Sequence, residues 1–140
     1  GSQIVGCTAR INVDGIVGTA GGVLIAECTA ILNVGNGIVL SSDARATNNI
    51  SHDNTAAGIQ IDGSSNRIED NQCSDNGIGV NLVGAGNIVR SNTCSGNATN
   101  WIVAAGNICL VVQAAPAGAF SGNAGGTSPG ALIPNTNFTY

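Results

Sequence analysis

The chain has 140 residues, enough for one domain, and carries four Lys+Arg against eight Asp+Glu for a net charge of −4. All four cations are arginine, so the clustered basic patch that nucleic-acid binding needs is absent. Although 43 % of the residues are hydrophobic, no run of about 18 apolar residues occurs, which excludes a membrane-spanning helix.

The apolar residues come as short alternating pairs bounded by Gly, Asn, Asp or Ser, which is strand patterning punctuated by turns. No stretch repeats at helical spacing. Residues 3–22 are predicted to form a first coil, with Ile4, Cys7, Ile11 or Val13, and Ile16 facing inward. Residues 23–44 form a second, built from Val23-Leu24-Ile25, Cys28, Ile31, Val34 and Ile38/Leu40. The third, 45–65, is the most polar and holds Arg45, His52, Asp53 and Asp62; residues 66–86 and 87–106 are the most regular.

One phrase of 21 residues is written repeatedly. Gly58-Ile59-Gln60-Ile61 is answered by Gly79-Val80-Asn81-Leu82 and then by Asn100-Trp101-Ile102-Val103. Asn66-Arg67-Ile68-Glu69-Asp70-Asn71-Gln72-Cys73 returns as Asn87-Ile88-Val89-Arg90-Ser91-Asn92-Thr93-Cys94. Self-similarity at a fixed period marks a stacked repeat, and matching residues then lie one strand spacing, roughly 4.8 Å, apart along an axis. The pairs Gly15-Ile16, Gly37-Ile38, Gly58-Ile59 and Gly79-Val80 give one column, continued by Asn100-Trp101; Ile68, Val89 and Cys109 give another; Asn66, Asn87 and Asn107 recur at a turn. Cys7, Cys28, Ile50, Cys73 and Cys94 are read as a further inward column, with the cysteines as free, buried small hydrophobes. The longer spacing from Cys7 and Cys28 to their Gly-Ile pairs predicts a widened turn in the early coils. The fold class is therefore all-β, a single-stranded parallel β-solenoid of five to six coils over residues 1–112. An irregular C-terminal tail, 113–140, is expected to cap it by burying Phe120, Leu132, Ile133, Phe138 and Tyr140.

The phrases Asn66-Arg67-Ile68-Glu69-Asp70-Asn71, Gly86-Asn87-Ile88-Val89-Arg90-Ser91-Asn92 and Ser95-Gly96-Asn97-Ala98-Thr99-Asn100 resemble the right-handed parallel β-helix repeats of pectate-lyase-like and copper-maturation-type (nitrous-oxide-reductase accessory) secreted proteins. The tail looks like the C-terminal portion of bacterial secreted β-helix proteins. The resemblance implies a right-handed coil, but it carries no catalytic residue, since the same coil hosts lyases, hydrolases, adhesins and spacers.

Carbohydrate chemistry on such a coil needs a base with charge neutralisation, or paired acids. The candidates are His52, Asp53, Arg67, Asp70 and Asp75, with Glu69 and Arg90 one period apart and read as a surface ion pair. Asp53 and Asp75, each just before an Asn, read as turn residues, and Trp101 as core. Asn49, Asn97 and Asn137 begin Asn-x-Ser/Thr triplets that chance explains in so Asn-rich a chain. With one His and no CxxC pair, neither a metal nor another cofactor is expected. The first reading is a non-catalytic structural or adhesive module, secreted or at the cell surface, self-associating by axial stacking; the second is a carbohydrate-active fragment acting on an extracellular polysaccharide.

Overall fold

The computed structural model describes residues 1–113, 120–122 and 136–140. Short strands follow one another around a triangular coil. The first coil contributes β1 (Gln3–Val5), β2 (Thr8–Arg10) and β3 (Ile16–Gly18); the second β4 (Leu24–Ala26), β5 (Thr29–Ile31) and β6 (Ile38–Leu40). The third contributes β7 (Arg45–Thr47), β8 (Ile50–His52) and β9 (Ala57–Ile61); the fourth β10 (Arg67–Glu69), β11 (Gln72–Ser74) and β12 (Ile78–Leu82). The fifth contributes β13 (Ile88–Arg90), β14 (Thr93–Ser95) and β15 (Thr99–Val103). β16 (Ile108–Cys109), β17 (Val111–Gln113) and β18 (Phe120–Gly122) begin a sixth, and β19 (Asn137–Thr139) lies near the C-terminus.

Each strand of the first five coils pairs in parallel with its counterpart one coil away, and β19 lies between β14 and β17, giving three sheets: β1-β4-β7-β10-β13-β16, β2-β5-β8-β11-β14-β19-β17 and β3-β6-β9-β12-β15-β18. They are called sheets 1, 2 and 3 below. The register follows the sequence period: Ile16, Ile38, Ile59, Val80 and Trp101 stack in sheet 3, and Ala46, Ile68, Val89 and Cys109 in sheet 1. These side chains point inward into one aliphatic column in which Trp101 is fully buried.

The three corners explain the Gly and Asn content. Every described residue with positive φ sits at one of them: Gly6, Glu27, Asn48, Asp70 and Ser91 at the first; Ile11, Leu32, Asp53, Asp75 and Gly96 at the second; Gly22, Asp43, Ser65, Gly86 and Gly106 at the third. A left-handed residue turns the chain, and the next residue points its side chain inward. There Asn forms ladders. At the second corner the amides of Asn12, Asn33, Asn54 and Asn76 each donate to the Oδ1 of the Asn one coil on, at 2.8–3.0 Å. Asn49, Asn71 and Asn92 do the same at the first corner, and Asn66 and Asn87 at the third. Such bonds satisfy backbone donors that a tight turn would otherwise bury unpaired.

The Gly before each inward Ile of sheet 3 is required by close approach. A Cβ on Gly58 would lie 2.7 Å from Asn76 Nδ2 and 2.8 Å from the Gly79 carbonyl oxygen. In the fifth coil Asn100 takes that place, and its Oδ1 accepts from Asn97 Nδ2 at 2.8 Å.

Four expectations are corrected. The inward column of sheet 2 is Ala9, Ala30, Ser51, Cys73 and Cys94, so Ile50 faces outward and is 43 % exposed. Cys28 instead occupies the first-corner ladder, where its amide donates to Asn49 Oδ1 at 2.9 Å and its Sγ accepts from the amide of exposed Cys7. The cysteines thus belong to two columns, so the wide turn inferred for coil 1 is an artefact of that alignment, whereas coil 2, like coil 3, does carry one residue more than coils 4 and 5 between its inward positions on sheets 2 and 3, Ala30 and Ile38. Of the apolar residues assigned to coils 1 and 2, Ile11, Val13 and Val34 are exposed, because Ile11 is itself the left-handed corner residue and Val13 and Val34 come one position after the ladder residues Asn12 and Asn33. In the tail, Phe138 and Tyr140 are exposed, while Thr136, Asn137 and Thr139 are buried. The reason is that β19 enters sheet 2 between β14 and β17, so its alternation turns Asn137 and Thr139 inward. Leu132, Ile133 and the side chain of Phe120 lie outside the described residues, and the boundary set after residue 112 falls within β17.

Candidate functional site

Sheet 1 gathers most of the positive charge. On β7, β10 and β13 alternation sends Ala46, Ile68 and Val89 inward, leaving Arg45, Thr47, Arg67, Glu69, Ile88 and Arg90 on the outer face. Arg45 lies in register with Arg67, and Glu69 with Arg90. Three of the chain's four cations therefore occupy neighbouring positions on one flat strand face.

Glu69 is their hub. Its Oε2 accepts from Arg45 Nη2 at 3.0 Å, its Oε1 accepts from Arg90 Nε, and Arg67 Nε lies 3.6 Å from Oε1. The Glu69 side chain is 2 % exposed, whereas the three arginines are 40–54 % exposed. This corrects the surface ion pair expected of Glu69 and Arg90: the carboxylate is roofed by guanidinium groups. A buried carboxylate is tolerable when paired and hydrogen-bonded, and one partner would suffice for neutralisation. Arg45 was missed as a site residue; its signal was the 22-residue offset that stacks it against Arg67.

The other candidates separate. His52 ends β8, and its Nδ1 lies 2.8 Å from Asp53 Oδ2. Asp53 and Asp75 are both second-corner residues with φ of 56° and 57°, and their amides donate to Ser74 and Ser95 carbonyls of the next coil. Asp70 turns the first corner with φ 56°, across the width of sheet 2 from them. The structure brings Arg67 to Glu69, and His52 to Asp53, but it does not unite the five in one site. Asn49, Asn97 and Asn137 of the Asn-x-Ser/Thr triplets are buried ladder residues with engaged amides.

All five cysteines are free, and only Cys7 is exposed. Burial raises the Cys109 thiol from 9.0 to about 12. Burial also raises Cys94 well above its ordinary value, with the adjacent Cys73 thiol adding to the effect. Neutral thiols of this kind are poor nucleophiles and poor metal ligands. Among the described residues no group of three or more His, Cys, Asp or Glu is placed to hold a metal ion, and no helix is long and apolar enough to cross a membrane.

Comparison with curated proteins and with solved structures finds no match. The family model of the right handed beta helix region matches residues 1–97, well over half of the chain. With parallel strands stacked in register on three sheets, the chain belongs to the right-handed β-helix family.

Proposed function

We propose that the chain is a non-catalytic, secreted structural or adhesive module that associates end to end with copies of itself. The observation that carries the reading is the use the coil makes of its acids: Asp53, Asp70 and Asp75 turn its corners, and Glu69 is held under three arginines. A polar surface low in charge suits an extracellular setting. End-to-end association is supported by the coil 1 edge. In successive coils the amides of Thr29 and Ile50 donate to the preceding coil at Cys7 and Cys28, and Thr8 is their counterpart in coil 1. A strand laid beneath it would repeat the contact that every interior coil makes.

Two measurements test this. Purified protein should give particles that lengthen with concentration in electron micrographs, and Thr8→Pro, which removes that outward amide, should shorten them. Uniform short particles at every concentration would exclude axial stacking. Absorbance assays for unsaturated products and reducing-sugar assays on a polyuronate panel should show no turnover. The His52–Asp53 contact is what favours the second reading, a carbohydrate-active coil, and turnover lost in His52→Ala would establish it.

A further inference from the structure

We infer that Arg45, Arg67 and Arg90 form a receptor for an oxyanion group, sulfate or carboxylate, borne on an acidic polysaccharide. Three cations surround one carboxylate, so the face keeps two positive charges in excess within a chain of net charge −4. Asp43 and Asp70 flank it at the corners, before β7 and after β10, and Glu27 stands at the corner after β4, one coil before β7.

Donor accounting points the same way. Arg90 reaches Glu69 through Nε and Arg67 approaches it through Nε, so neither commits its Nη groups to another described residue; Arg45 commits Nη2 alone. A guanidinium anchored at one edge presents the other as a fixed pair of donors, the geometry that grips an oxyanion in bidentate fashion. Arg45 and Arg67 are also like charges directly opposite on adjacent strands, an arrangement that costs stability unless offset. Glu69 relieves this from below, and an anion bridging the two outer edges would relieve it from above. Their spacing is one strand step, roughly 4.8 Å, and Arg90 stands one coil further on in the neighbouring row, in register with Glu69, where Ile88 follows Arg67. A charged polymer lying along the axis would meet several donors at once, whereas a single small anion would meet fewer.

The inference deepens the adhesive reading and rests on it in one respect, that the anion is held and not cleaved. The probes are dextran sulfate, polygalacturonate and sodium sulfate, titrated calorimetrically at low salt. Binding of at least one polymer is expected, weakening about tenfold as salt is raised to physiological strength, because condensed counterions are released on binding. Arg67→Gln, which removes no hydrogen bond to Glu69, should weaken it about tenfold with the thermal midpoint nearly unchanged. Arg10→Gln, an equal change in net charge on β2, should leave it unaltered. Equal losses in the two variants, or no polymer binding at low salt, would overturn the site. Sodium sulfate binding as tightly as the polymers would keep an oxyanion site and overturn the polymer as its ligand. Turnover of polygalacturonate with binding intact would instead overturn the non-catalytic reading alone.

Discussion

Ile11 and Leu32 hold left-handed backbone angles, φ 58° and 56°, at the corner where later coils use Asp53, Asp75 and Gly96. For a bulky L-residue this conformation costs about 1–2 kcal/mol, and Leu32 recovers little of it because its side chain is 41 % exposed. Glycine's added unfolded-state entropy offsets much of that relief, so Leu32→Gly should raise the thermal midpoint only slightly, by less than about 1 kcal/mol of stability. The cysteines differ just as sharply by position. Cys7 is exposed and the other four are buried, so a thiol reagent at neutral pH should label one group in the folded protein and all five after denaturation.

The ladders act at the scale of the element. Asn71 Oδ1 accepts from the amide and the Nδ2 of Asn49, while its own Nδ2 donates to Ala46 and to Asn92. Asn71→Ala would leave several buried groups unpaired, and the expected loss is about 3 kcal/mol in urea unfolding. Asn71→Asp should not restore it: the carboxylate keeps the acceptors but loses both donors and buries a charge. At the far end of the same ladder Asn137 supplies the acceptor for Asn92, and its Nδ2 reaches the Val89 and Leu110 carbonyls. Asn137→Ala should loosen β19, so the amides of Asn92, Phe138 and Tyr140 should exchange hydrogen faster while that of Asn71 stays protected.

For the molecule as a whole, the buried thiols set an alkaline limit. Their folded values lie above the unfolded value of 9.0, so the stability they contribute is complete below about pH 9 and is lost as pH rises toward about 12, where Cys109 itself titrates. The urea midpoint should fall across that window, and less steeply in Cys109→Ala. Much of this architecture was legible in the chain. A 21-residue period forces equivalent residues into register, which is why the Gly-Ile column, the Ile68–Val89–Cys109 column and the third-corner Asn ladder follow directly from spacing. The candidate site was legible only in pieces: the offset of Glu69 and Arg90 gave their adjacency, but not the burial of the carboxylate or the part played by Arg45. Alignment of the cysteines misled because Cys is small enough to stand either in an inward strand position or in a ladder slot, and only backbone direction tells the two apart. Likewise Asn92 and Asn137 are 45 residues apart, off the period, and meet because a strand near the C-terminus enters sheet 2. The sequence by itself determined the repeat, the strand alternation and the corners, since these depend on local preference and a constant step. Tertiary structure alone decided which side chains share a face and which are roofed over, because both depend on how successive coils lie across one another.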